Sequence, residues 1–135
     1  MSNGLPRSWG ITVLRVVVGV VFLMHGWQKI TVFHLAGVHH MLGSIGVPLP
    51  GIFAVILIAV EFLGGIALIL GAATRPAAAL LAIDMVVAIL KVHLKGGFFL
   101  PMGFEFALTL LAANICMALT GGGAASVDGA ISQKT

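Results

Sequence analysis

The segment Arg15–Lys29, RVVVGVVFLMHGWQK, constrains the chain more than any other. It is apolar enough to lie in a bilayer, yet it holds an arginine, a histidine and a lysine. At about 100° per residue, Arg15, Gly19, Phe22, Gly26 and Lys29 share one narrow helical stripe, with His25 at its edge. The remaining surface is Val, Leu and Met, with Trp27 and Gln28 near its end. An unpaired charge facing lipid costs several kcal/mol, roughly, so the stripe must face other protein or a wet cavity.

The rest of the chain has the same character. Of 135 residues, 60% are hydrophobic and 8% are charged, against about 25% charged in soluble domains. The expectation is an integral membrane protein in a single domain over 1–135. Its basic residues are scattered singly, which excludes a nucleic-acid patch. A lone cysteine, Cys116, rules out an intrachain disulfide, and no CxxC or CxxCH occurs. The adjacent pair His39-His40 lacks the i, i+4 spacing of a helical metal pair, so no metal site is expected.

Four apolar stretches read as membrane spans at roughly 9–30, 50–71, 76–93 and 102–120. Backbone polar groups in lipid must be satisfied within the segment, so the spans are helices. Short connections make the fold an all-α, four-helix up-down bundle with both termini on one side. Residues 31–49 read as a connection, with Val38–Leu42 as a short interfacial helix. Pro50 starts the second span, and the glycines at 121–123 end the fourth. Basic residues are nearly balanced between the two sides, which leaves orientation open.

Acids and bases fall inside the spans at depths set by about 1.5 Å of rise per residue. Glu61 and Asp84 lie near mid-membrane, and Arg15 is the base expected to pair with them, by a fork or a single bridge. A second polar layer, nearer the other face, holds Glu105 among His25, Lys29, Lys91 and His93. Either layer can be purely structural, an ion network that fixes helix register. The functional reading is that two acids facing one base leave a carboxyl free to hold a proton or a ligand. For His25 and His93 the plain reading is polar residues near helix ends. The alternative is axial ligation of a b-type haem between the first and third spans.

The residues resemble the DoxX family of small four-span bacterial membrane proteins. The likeness runs through Arg15…Gly19…Phe22…His25-Gly26…Lys29, Gly46-Val47-Pro48-Leu49-Pro50 and Glu61…Gly65…Leu68…Gly71…Thr74-Arg75 to His93. Its most specific part is Gly103-x-Glu105 followed by Gly121-x-Gly123-x-x-Ser126-Val127-Asp128. The resemblance implies a multi-pass protein of the bacterial inner membrane. It also implies a small subunit of a membrane quinone oxidoreductase that passes electrons from sulfur compounds such as thiosulfate to the quinone pool. No covalently bound cofactor is expected, so a partner redox enzyme would carry the electron-transfer centre and quinone would be the small ligand. Two other readings stand beside it: a cofactor-free scaffold for a redox enzyme, and a small proton-linked transporter, which would call for a homo-oligomer. A quinone site requires a lipophilic cleft reaching the second polar layer. A scaffold requires a fully packed polar core, and a transporter a wet cavity. The candidate ligand- or proton-handling residues are Arg15, His25, Lys29, Glu61, Asp84, His93 and Glu105.

Overall fold

A computed structural model describes residues 4–132. Helix α1 runs Gly4–Gln28 and passes through a wide π-helical turn, Lys29–Phe33, into α2, His34–Ser44. Then come α3 (Pro50–Leu70) and α4 (Thr74–Ala88). A second π-helical turn, Ile89–His93, and a 3-10 turn, Leu94–Gly96, extend α4. Helix α5 is Glu105–Thr120 and α6 is Val127–Ser132. No strand occurs among the described residues. The chain is an all-α membrane bundle. Its outer face is the apolar surface that lipid requires, with Val13, Val17, Leu63, Ile83 and Leu119 all prominently exposed.

The stripe of α1 is buried as its spacing predicts: Thr12, Arg15, Val18, Gly19, Phe22 and Gly26 all face inward. It packs antiparallel on α3 through glycines. A Cβ on Gly19 would sit 2.8 Å from the carbonyl oxygen of Gly65, and one on Gly26 would sit 2.7 Å from Cα of Phe62. A Cβ on Gly65 would strike the backbone of Leu23. With water absent, such backbone-to-backbone packing is what holds membrane helices together. The shared core of Val18, Phe22, Leu68, Leu81, Met85, Leu110 and Met117 joins α1, α3, α4 and α5.

Two sequence expectations are corrected. The connection at 31–49 is mostly helix: α2 spans His34–Ser44, and only 45–49 is loop. At His34 the backbone takes φ of 59°, outside regular helix, so the chain changes direction there. Helix α2 then lies along the first half of α3, burying Val38 and Leu42 with Ala54. At 11 residues it is far too short to cross a bilayer. The second correction concerns Arg15. It pairs with neither Glu61 nor Asp84. Its guanidinium lies against Gly71, at the end of α3, and Nη2 donates to the carbonyls of Ala125 (3.0 Å) and Ala124 (3.4 Å). Helix α1 overshoots the end of α3, so equal counting from the two helix starts misplaces Arg15 in depth.

The C-terminal segment fills the space around Arg15. Thr12 Oγ1 donates to Ala124 O, the Ala124 N–H donates to Ser8 O, and the Asp128 N–H donates to Gly71 O. The start of α1 and the end of the chain therefore meet at one end of the bundle. Asp128 accepts the N–H groups of Ala73 (2.7 Å) and Thr74 (2.9 Å), which are otherwise orphaned at the start of α4. Burial pushes the Asp128 carboxyl up. The hydrogen bonds from Thr74 and Ala73 and the nearby charge of Arg15 outweigh that and hold it below the ordinary carboxylate value.

Candidate functional site: an ion pair at the floor of a lipophilic cleft

The cleft arises because α1 ends halfway along α3. Up to Lys29, α1 packs on α3 and touches α5. Beyond it, the π-helical turn and the break at His34 carry the chain onto α3, where α2 buries its face. The space left between α2 and the α4–α5 pair is a cleft of about 710 Å³. Phe22, Leu57, Ile83, Met85, Ala88 and Phe106 are among its apolar walls, and its polar lining includes His25, Lys29, Glu61, Asp84, Lys91 and His93.

At the floor the polar groups engage one another. Lys29 Nζ lies 2.6 Å from Glu61 Oε1 and 3.4 Å from Oε2. Both side chains are well buried, 14% and 5% exposed, so the pair is shielded from bulk solvent. Asp84, on α4, lines the same cleft, and its buried Oδ2 has no hydrogen-bond partner. A low-dielectric interior tolerates a charge only where it is matched, and the Lys29 ammonium is matched by Glu61.

His25 is oriented separately. Its Nδ1 lies 2.8 Å from Val21 O, one turn earlier on α1. A carbonyl only accepts, so Nδ1 carries the hydrogen and Nε2 of the neutral ring is an acceptor. The ring rests beside Phe106, with centroids 6.3 Å apart.

Of the seven residues singled out in the sequence, five line this cleft: His25, Lys29, Glu61, Asp84 and His93. Arg15 belongs to the opposite end of the bundle, as described. Glu105 is not among the lining residues. It is the first residue of α5, and its Oε2 accepts the N–H of Leu100 at 3.2 Å, tying the preceding loop to the helix. Among the described residues no cluster of three or more His, Cys, Asp or Glu suits a metal ion. Sequence reasoning missed Asn114. It is fully buried on α5, where Nδ2 donates to Leu110 O at 2.9 Å and Oδ1 has no partner. Its one signal is being a lone amide in an apolar span.

The sequence pattern that defines the family described as DoxX matches residues 10–94, which take in α1 from Gly10 onward through α4, with Lys29, Glu61 and Asp84. The chain belongs to the DoxX family. Among relatives of this DoxX protein, a Bacillus subtilis protein named "Putative oxidoreductase CatD" is 39% identical over 83% of the chain and 79% of its own length. Two Escherichia coli proteins are also similar. "Inner membrane protein YqjF" is 30% identical, covering 93% of this chain and 94% of its own. "Inner membrane protein YphA" is 28% identical, covering 93% and 92%. No solved structure gives a significant match. The helices and the relatives together make the chain a multi-pass protein of the bacterial inner membrane.

Proposed function

We propose that this DoxX protein is a small subunit of quinone-linked redox chemistry and that the cleft receives the quinone ring. The observation that carries the reading is the cleft itself: apolar walls that end on Lys29, Glu61 and Asp84. A bound quinone would supply a lipid-soluble carrier of two electrons and two protons. The chain's own residues fit such a ring. Phe22, Met85 and Phe106 give it apolar contact, Lys29 offers an N–H toward a ring oxygen, and the Glu61 and Asp84 carboxyls at the floor are the groups that exchange protons with it. A relative named as an oxidoreductase supports the same class of chemistry. The family resemblance supplies the electron source, a sulfur compound such as thiosulfate, acting through a partner enzyme. A pure scaffold would need no cavity at this place.

The test is to purify the protein from its own membranes in mild detergent and extract bound quinone. The parent should carry quinone well above an unrelated membrane protein prepared alongside it. Ala88→Trp, which fills the cleft, should not. Equal quinone content in all three preparations would remove the reading.

A further inference from the structure

We infer that the hydrocarbon tail of the ring ligand leaves the cleft sideways, between α3 and α4, and that Ile56 and Ile83 set which tails the site admits. The inference rests on the proposed quinone site and concerns the tail rather than the ring. The four long helices form a ring in which α1 packs on α3 and α4 packs on α5, and the cleft lies between these two pairs. Its α3 and α4 walls each carry two rows of residues at helical spacing. The inner row, Leu57 and Glu61 on α3 with Asp84 and Ala88 on α4, is buried or half-buried. The outer row, Phe53 and Ile56 on α3 with Ile83 and Val87 on α4, lines the same cleft and is exposed. Ile56 is 47% exposed and Ile83 is 61% exposed. Residues that line a cavity and face outward at once are the lips of an opening, and all four of these lips are apolar.

The other edges of the cleft do not suit a tail. Between α1 and α5 the rings of His25 and Phe106 meet, with centroids 6.3 Å apart. Lys91 and His93, in the π-helical turn after α4, put polar groups at the end of the cleft. A hydrocarbon chain laid across an ammonium would strip it of water. Asp84, by contrast, lies midway along the apolar segment Thr74–Gly96, so the α3–α4 opening is level with the hydrocarbon of the bilayer. A tail that leaves there stays in its own solvent. It gains nothing by burial, because lipid chains are as apolar as the lips themselves. The lips therefore act by room and not by attraction: the ring binds with any tail that the gap between Ile56 and Ile83 passes. The ligand class is a ring-headed lipid drawn from the bilayer.

The experiment uses the full chain in lipid nanodiscs, with empty nanodiscs subtracted to remove partition into lipid. The probes are decylubiquinone and the same dimethoxy-methyl benzoquinone ring without its tail. The parent should bind both. Ile83→Trp narrows the opening, so it should weaken decylubiquinone about tenfold, the scale of a modest overpacking, and leave the tail-less ring unchanged. Leu119→Trp, at a prominently exposed α5 position outside the cleft, should leave both unchanged. A second readout needs no substitution. A decylubiquinone analogue with a diazirine midway along its tail is photolysed on the parent, and its adducts should map to Phe53, Ile56, Ile83 or Val87. If the parent binds only the tail-less ring, if Ile83→Trp weakens both probes alike or neither, or if the adducts fall on Phe33 or Phe106 or miss the four lips, the inference is wrong while the cleft remains a quinone site. If neither probe exceeds the empty nanodiscs in the parent, the quinone site fails and the inference fails with it.

Discussion

Lys29 and Glu61 form a buried ion pair, Nζ to Oε1 2.6 Å, between the end of α1 and the middle of α3. The pair sits where α1 stops and the chain turns away, so it marks both the floor of the cleft and the depth at which the bundle changes from closed to open. Gly26 allows it, because the backbones of α1 and α3 touch there at Phe62, one residue from Glu61.

The two charges should be interdependent. Lys29→Met leaves Glu61 and Asp84 with more negative charge than the interior can hold, and should cost about 3–5 kcal/mol of stability. Adding Glu61→Gln to Lys29→Met should restore part of that loss. Unfolding by SDS titration of the single and double variants gives both numbers, and equal loss in the two would mean the charges are not coupled.

Close approach of α1 and α3 is a second consequence. Gly65→Val places a branched side chain against the Leu23 backbone, which cannot retreat. The helices would have to separate, at a cost of about 1–3 kcal/mol. The same substitution at Gly10, where a Cβ meets nothing, should be nearly neutral in the same titration. The Trp27–Phe62 stack, with centroids 6.4 Å apart, lies along the same seam and gives a fluorescence readout of the separation.

Much of this was legible in the residues. The stripe from Arg15 to Lys29 identified the buried face of α1, because helical spacing is a local property. The acids at 61 and 84 were read as interior for the same reason. The partner of Arg15 was not legible. Depth counted from helix starts assumes the helices begin level, and α1 begins well beyond the end of α3. The space around Arg15 is filled by residues 123–128, which belong to no span and so carry no hydropathy signal. Their fixed order in the sequence has its physical reason here, since Gly123 packs on Ile11 and Asp128 caps α4. The cleft was not legible either. It depends on a turn of altered helical pitch at Lys29–Phe33, and nothing in the sequence KITVF distinguishes it from more helix.

Acid should loosen the tail before the bundle. The Asp128 carboxyl is held below its ordinary value in the folded chain, so it stabilises the fold above the unfolded carboxylate value of about 3.9. That contribution is lost as pH falls below there, through the folded value. Hydrogen exchange at the Ala73 and Thr74 amides, measured from pH 6 down to pH 3, should lose protection in the low part of that range. Asp128→Asn should show the weakened cap, worth about 1 kcal/mol, already at pH 6 and should be flat with pH. A parent profile as flat as the variant's would show that Asp128 is not the group responsible.

Glu61 and Glu105 should separate cleanly, although both are carboxylates inside the apolar spans of the sequence. Glu61 holds Lys29 inside the cleft, whereas Glu105 holds the Leu100 amide outside it. Glu61→Gln removes the anion that neutralises Lys29 and redirects that ammonium toward the ligand space. It should therefore change decylubiquinone binding by about tenfold in nanodiscs, the scale of one charge-assisted hydrogen bond. Glu105→Gln should leave that binding within about twofold, because its carbonyl oxygen still accepts from Leu100 and no charge in the cleft changes. Its effect should appear instead as faster exchange of the Leu100 amide. If Glu105→Gln altered binding as much as Glu61→Gln, the functional layer would extend to α5 and the Lys29–Glu61 pair would not be its centre.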